Sequence, residues 1–202
     1  MVQAILEGRK TQTRRILSNE AWVRTLSWFA GDLVSDPRNG MSNLYGYPGD
    51  RLWLRETWAK ICRIGEQCEG TECPYCEYEY RADDPTARYA GMWPNFYGPK
   101  AVPMGAKWKP SIHMPREAAR IILEVTDVRI ERIQDISRED AIAEGVKRNH
   151  SGMYEWYDYQ EELYYLPTPE ESFKSLWKSI QGPESWELNP LVWVITFKRF
   201  EP

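Results

Sequence analysis

The chain is organised around the stretch Gly8-Arg9-Lys10-Thr11-Gln12-Thr13-Arg14-Arg15. Four cations and two hydroxyls fall within these eight residues, which is a higher density of hydrogen-bond donors than a fold needs for its own stability. A phosphate or another polar oxygen of a ligand is the natural partner of such a cluster. The alternative interpretation is a solvated, positively charged edge strand. The spacing alone does not separate the two.

A short helix, a turn and a strand are predicted in succession here. The apolar residues before Gly8 are typical of a short helix that a glycine closes at its C-terminal end. The residues after the turn alternate, and as a strand they would place Thr11, Thr13 and Arg15 on one face. Lys10 lies in the turn, and its flexible stem can reach the same side.

The composition is that of an ordinary globular protein with one good-sized core. The chain has 202 residues, of which 42% are hydrophobic and 28% are charged. A net charge of −4 argues against a protein that coats nucleic acid along a basic face, but it leaves room for a small site for one nucleotide. Ten Trp and twelve Tyr can serve the core, base stacking or an interface.

Localisation and cofactors follow from what the sequence lacks. No apolar run is long enough to span a membrane, and the first residues lack the apolar core of a secretory signal. A cytoplasmic protein with reduced cysteines is therefore expected. The sequence also has no glycine-rich phosphate loop, and no organic cofactor is expected.

Beyond the first strand, the sequence predicts a helix near 19–29, a turn at 47–50 and a strand at 51–55. A long strand from Ile121 to Ile130 changes its alternation phase at Thr126-Asp127, which indicates a bulge or bend. The residues from 191 to 200 are apolar on both faces, as a central strand would be.

Two capped helices are also predicted. One begins after Ser137 and ends at Gly145, with Glu144 in its last turn. The other begins after Thr168 and ends at Gly182. Its apolar residues recur at helical spacing: Phe173, Leu176, Trp177 and Ile180.

The predicted fold class is α+β, in a single domain covering residues 1–202. Its core is a small curved or barrel-like sheet with flanking helices. Two long insertions interrupt it, at about 60–107 and at 147–166. The first insertion lacks a clean period and contains all the cysteines, so something must hold it in place.

A structural zinc ion would explain how the first insertion is held. Its possible ligands are Cys62, Cys68, Cys73 and Cys76. The pair Cys73-Pro74-Tyr75-Cys76 has the spacing of one half of a zinc knuckle, whereas the other two cysteines are irregularly spaced. The alternative is four reduced thiols, some of them buried.

Three further polar residues are candidates for a site. Glu144 could act as a general base if a cation such as Lys10 lies near it; the alternative is a surface glutamate without a role. Lys109 and His113 lie in an extended segment that prolines interrupt, and with Arg9 and Arg15 they are candidate substrate-binding residues. A lone histidine is more often structural.

Four stretches of the chain resemble the ASCH domain family, whose members are PUA-like β-barrels thought to bind RNA or nucleosides. The resemblance rests on Ile5 to Arg15, Pro48 to Trp53, Leu123 to Gly145 and Val192 to Phe200. It covers about half the chain, leaves the insertions outside, and extends to the ASCH-like proteins of tailed phages and prophages. The family's first strand would precede the helix, so this chain either starts late or fills that edge with another element.

The resemblance also implies a reaction. Within the superfamily, small bacterial amidohydrolases remove the acetyl group of N4-acetylcytidine with a Lys, a Thr and a Glu, which match Lys10, Thr13 and Glu144. Thr13 would attack the amide carbon, Lys10 would ease its deprotonation, and Glu144 would move protons. Arg15 could hold the oxyanion or the sugar, whereas Arg9 and Arg14 would face solvent or steer a phosphate.

Two alternative functions stay open. The first is a non-catalytic reader that binds RNA or a modified base and stacks it on the aromatic insertions. The second is a phage protein that binds a host protein through its Tyr- and Trp-rich insertions.

Overall fold

The computed structural model describes residues 1–17, 46–62, 76–83, 107–148, 155–160 and 165–201. The helices within these ranges are α1 (Val2–Leu6), α2 (Arg138–Ala143) and α3 (Pro169–Gln181). The strands are β1 (Gln12–Ile16), β2 (Arg51–Trp53), β3 (Trp58–Cys62), β4 (Cys76–Tyr80), β5 (Ile122–Arg132), β6 (Trp156–Tyr157), β7 (Tyr165–Leu166) and β8 (Leu191–Phe200). The α+β prediction is confirmed. The helix predicted near 19–29 lies outside the described residues.

The chain forms two compact units. The first comprises Met1, Gln3–Leu52 and Leu123–Pro202, and the second comprises Val2 and Trp53–Ile122. The second unit is longer than the insertion predicted at 60–107, because the unit also includes the segments on either side of that insertion.

The first unit is built on a four-stranded sheet with the order β1-β8-β5-β2. β1 and β8 are antiparallel, and their register runs from Gln12 opposite Thr196 to Ile16 opposite Val192. The predicted barrel needs correction within the described residues. β1 and β2 are the two edges of the sheet there, so the sheet is open.

The sheet has a hydrophobic core on each face, as predicted for a central last strand. Val192 and Val194 of β8 belong to a cluster that includes Phe173 and Trp177 of α3. Trp193 and Ile195, which alternate with them, belong to a second cluster with Val125 and Val128 of β5. Successive side chains of a strand point to opposite faces, so β8 contributes to both cores.

β5 carries the predicted change of phase. Leu123 and Val125 are buried, Thr126 and Asp127 are exposed, and Val128 is buried again. Two exposed neighbours in succession shift the buried positions by one residue.

α2 and α3 begin and end at the capping residues that the sequence predicted. The Ser137 side chain accepts a hydrogen bond from Asp140 N at the start of α2, and the Thr168 side chain accepts one from Glu171 N at the start of α3. Gly145, with φ +84°, follows α2, and Gly182, with φ +100°, ends α3.

Part of the insertion predicted at 147–166 packs on α3. β6 and β7 form a two-stranded antiparallel sheet. The Ser172 hydroxyl donates to Tyr157 O at 2.6 Å, and Tyr159 N donates to the Ser175 hydroxyl at 2.6 Å. Small hydroxyl residues of the helix thus satisfy the backbone of a segment that has little secondary structure of its own.

The second unit contains a hairpin that the sequence did not predict. β3 and β4 are antiparallel, with Trp58 opposite Tyr80 and Cys62 opposite Cys76. Arg120 donates to both carboxylate oxygens of the fully buried Glu56, and it also pairs with Asp83. The two carboxylates and the bidentate geometry keep the pKa of Arg120 above its ordinary value, against the effect of burial.

No helix among the described residues is both long enough and apolar enough to cross a membrane.

Candidate functional site

The turn before β1 closes the end of α2. Three successive residues of the turn each donate one hydrogen bond to three successive carbonyls of the helix end. The bonds run from Thr11 N to Ala143 O (2.8 Å), from Lys10 Nζ to Glu144 O (2.9 Å) and from Arg9 Nη1 to Gly145 O (2.8 Å). They satisfy carbonyls that have no partner within the helix, and they bring two cations to its negative end.

Lys10 and Glu144 form a buried ion pair. Lys10 Nζ lies 2.6 Å from Glu144 Oε2, and the two side chains are only 6% and 5% exposed. Burial lowers the pKa of Lys10 below its ordinary value. The Glu144 carboxylate opposes that shift, whereas the nearby Arg15 and Arg14 add to it. The two residues are 134 positions apart in the sequence, and the structure brings them into contact as the resemblance predicted.

A cavity of about 330 Å³ opens beside this pair. Lys10, Thr13 and Glu144 all line it. Much of the polar lining comes from the turn before β1, from β1 and from the end of α2, and much of the apolar lining comes from α3. The described residues that line the cavity are Met1, Gln3, Ala4, Arg9, Lys10, Thr13, Arg14, Arg15, Glu144, Gly145, Lys147, Tyr159, Phe173, Leu176, Trp177, Ile180 and Gln181. Its volume and mixed lining are typical of a small-molecule site.

Arg14 is buried, and the prediction that it faces solvent or steers a phosphate is wrong. Its side chain has no exposed surface. Gln12 and Arg14 are the buried positions of β1, whereas Thr13 and Arg15 are half-buried. The guanidinium is tolerated inside because acidic and amide oxygens surround it. These are Gln12 Oε1 (2.6 Å), Glu131 Oε1 (2.5 Å), Asp140 Oδ2 (2.9 Å) and Glu144 Oε1 (3.3 Å).

Arg14 is the centre of a connected charge network. Arg129 also contacts Glu131 and Asp140, so the two arginines share these two carboxylates. Glu144 is held at both oxygens, by Lys10 at Oε2 and by Arg14 at Oε1. The network therefore fixes the position of the glutamate that faces the cavity.

The other predicted substrate-binding residues fall into two groups. Arg9 and Arg15 line the cavity, and Arg9 also pairs with Glu7 at 2.5 Å. Lys109 and His113 belong to the second unit and do not line this cavity.

Lys109 and His113 have the following surroundings. The backbone of Lys109 exchanges two hydrogen bonds with Trp58, and Lys109 Nζ lies 4.9 Å from the centre of the Trp58 ring. His113 is exposed at the end of a short 3-10 turn.

The four cysteines are described only in part. The backbones of Cys62 and Cys76 face each other across the β3–β4 hairpin. Cys68 and Cys73 lie outside the described residues.

The sequence interpretation missed Tyr159, Lys147 and the apolar wall of α3 as parts of the site. The Tyr159 hydroxyl accepts a hydrogen bond from Lys147 N at 2.9 Å. Burial raises the pKa of Tyr159, so the phenol keeps its proton. Both residues lie in the stretch interpreted as a polar insertion. The helical spacing of Phe173 and Trp177 predicts burial, but spacing gives no sign that a cavity lies beside them.

No protein-family model, curated protein or solved structure matches this chain.

Gly145→Ala should destabilise the fold by about 2–4 kcal/mol, because it combines a left-handed backbone with a clash. At Gly145 φ is +84°, and an added Cβ would lie 2.7 Å from Lys10 Cβ and 3.2 Å from Lys10 Cα. Urea unfolding measures the loss. The matched control is Gly8→Ala, where φ is +72° and no atom lies within 4 Å of the added Cβ. It should lose only about 1–2 kcal/mol, and equal losses would contradict the close packing of the turn on α2.

Arg14→Gln should lower the free energy of unfolding by about 3–5 kcal/mol, since it removes a fully buried cation that contacts three carboxylates and leaves each of them with one cation fewer. The control is Arg129→Gln, whose side chain is 31% exposed and should cost about 1 kcal/mol or less. Equal losses in the two variants would show that Arg14 is not the centre of the network.

Proposed function

We propose that this chain is an ASCH-type protein whose cavity binds a modified nucleoside or nucleotide and hydrolyses an amide on its base. The observation that carries the proposal is the buried pair of Lys10 and Glu144 beside a cavity that Thr13 also lines. The resemblance supplies the class of reaction. The geometry supports it because the three residue types that the reaction needs border one space.

Lys10 is suited to take a proton from Thr13. Burial lowers the pKa of Lys10, which favours the neutral amine that a general base requires. The Thr13 side chain has the hydroxyl that can act as nucleophile once its proton is removed. Glu144 accepts hydrogen bonds from Lys10 and Arg14, so it is placed to receive the proton from Lys10 and pass it on.

The reaction proceeds in two balanced steps. In the first, Thr13 Oγ1 bonds to the amide carbon, the carbon–nitrogen bond breaks, and the hydroxyl proton reaches the departing nitrogen through Lys10 and Glu144. In the second, water attacks the acyl ester on Thr13, which releases a carboxylic acid and restores the hydroxyl. The products are the free amino group of the base and the acid.

The wall formed by α3 suits the planar part of such a ligand. Phe173 and Trp177 are almost fully buried and line the cavity, and Leu176 and Ile180 extend the same apolar surface. A nucleobase buries apolar surface on rings of this kind without a specific set of hydrogen bonds. The wall therefore favours the binding of a nucleobase in general and does not distinguish one base from another.

The alternative is a reader that binds the same ligand, or RNA, without cutting it. One observation favours it: within the described residues, both hydrogen bonds from Lys10 Nζ go to Glu144. A closed pair of this kind can serve to position β1 on α2 without moving a proton. Binding without turnover is the result that the reader predicts.

The hydrolase is tested by incubating the protein with N4-acetylcytidine and measuring cytidine by chromatography. Thr13→Ala, Lys10→Met and Glu144→Gln should each lower the rate at least about 100-fold, as loss of a nucleophile or proton carrier does. The rate should rise with pH and level off below 10.5, the ordinary pKa of a lysine, as Lys10 loses its proton.

Thr11→Ala is the matched control, since Thr11 is exposed and does not line the cavity. It should keep near wild-type activity. Full activity in Thr13→Ala, or no product from the wild-type protein, would overturn the hydrolase; binding of N4-acetylcytidine without product would favour the reader.

We also propose that the cysteines hold a structural zinc ion. The hairpin register brings the backbones of Cys62 and Cys76 opposite each other, and the other two cysteines lie in the chain between them. Paired neighbours across antiparallel strands are close enough to share a tetrahedral metal. Metal analysis under reducing conditions should give about one zinc per chain, and Cys76→Ser should lose it. Zinc well below that ratio in the wild-type protein would contradict the site.

A further inference from the structure

The charges that line the cavity do not balance. Among the described residues, its lining contains five cationic side chains and one carboxylate, that of Glu144. Glu144 is already paired with Lys10. Two of the other cations are balanced by carboxylates that do not line the cavity: Arg9 by Glu7, and Arg14 by Glu131 and Asp140.

Arg15 and Lys147 carry the remaining charge. Neither side chain has a carboxylate within ion-pair distance among the described residues, although both line the cavity. Arg15 is near enough to Lys10 to lower the pKa of Lys10 by charge repulsion. A concave site with excess charge of one sign attracts a ligand of the opposite sign more strongly than the same charges on a flat surface.

Tyr159 adds a neutral donor beside Lys147. Its oxygen accepts a hydrogen bond from Lys147 N, and its raised pKa keeps its own proton in place. That proton has no acceptor among the described residues. A phenol O–H and an ammonium that line the same cavity can both donate to one oxygen-rich anion.

We propose that the ligand of this cavity is a nucleoside monophosphate, whose phosphate is held by Arg15, Lys147 and Tyr159. The inference rests on the proposed function and names its substrate class. A phosphate monoester carries about −1.5 to −2 charge at neutral pH, which matches the two cations that have no carboxylate partner among the described residues. The guanidinium fork of Arg15 suits two phosphate oxygens at once, and Lys147 acts as a point charge.

The size of the site favours the free nucleotide over RNA. A cavity of about 330 Å³ is at the lower end of the range for small-molecule sites. A net charge of −4 also disfavours a polyanion that extends over the surrounding surface. A phosphodiester within RNA carries one charge, which would leave one of the two cations unmatched.

The test is a calorimetric titration of the Thr13→Ala variant, which holds the ligand without cutting it. N4-acetylcytidine 5′-monophosphate should bind at least about tenfold tighter than N4-acetylcytidine, and the preference should shrink as salt is raised. When Arg15→Gln or Lys147→Gln is added to this variant, the affinity for the nucleotide should fall by about three- to tenfold, and the affinity for the nucleoside should stay nearly unchanged. Arg148→Gln is the matched control, because Arg148 follows Lys147, pairs with Glu155 and does not line the cavity.

Equal affinities for nucleotide and nucleoside, or equal weakening of both in the two variants, would overturn the proposal. Tighter binding of an N4-acetylcytidine-containing RNA than of the monophosphate would assign the site to RNA and would also overturn it. If neither cytidine ligand binds, phosphorus NMR of inorganic phosphate tests whether the anion site exists. Broadening of the phosphate line by the Thr13→Ala protein, lost when Arg15→Gln or Lys147→Gln is added, supports the anion site. No broadening by the Thr13→Ala protein rules the site out.

The outcomes also separate this proposal from the proposed hydrolase. Hydrolysis of the nucleoside by the wild-type protein, with no preference for the monophosphate, leaves the hydrolase standing and ends the inference. A preference for the monophosphate without any hydrolysis leaves the anion site standing and ends the hydrolase.

Discussion

The first unit depends on the closure of α2 by the turn that precedes β1. A six-residue helix is weakly stable by itself, and the carbonyls at its C-terminal end lack partners within it. The turn supplies those partners from three successive residues, and two of the donors carry a positive charge. Gly145 allows this approach because it has no Cβ to meet Lys10. The same contacts place Lys10 beside Glu144. The interactions that cap the C-terminal end of α2 therefore also assemble the candidate site.

The buried charges have a second effect on the site. An isolated carboxylate at the cavity wall would be free to rotate toward solvent or a ligand. Glu144 is instead fixed at one oxygen by Lys10 and at the other by Arg14. Arg14 is itself fixed by carboxylates on α2 and β5, so the orientation of Glu144 depends on residues that never reach the cavity. Such an arrangement favours a preorganised site over one that forms when a ligand binds.

The sequence predicted those features of the structure that depend on residues close together in the chain. The caps at Ser137 and Thr168, the glycines after two helices and the phase change in β5 are all decided by neighbours in sequence. The hairpin of β3 and β4 was missed although β4 alternates, because the surrounding cysteines, prolines and glycines indicated an irregular insertion.

The burial of Arg14 could not be predicted, since it depends on carboxylates more than 100 positions away. The pairing of Lys10 with Glu144 is equally distant, and only the family resemblance indicated it. The register of β1 on β8 carries a consequence for both. A shift by one residue would bring Thr13 to the buried position and turn Arg14 outward, and among the described residues Glu131 and Asp140 would then keep only Arg129 as a cationic partner. The buried arginine therefore favours the observed register of β1, in which Arg14 contacts its carboxylates and Thr13 lines the cavity.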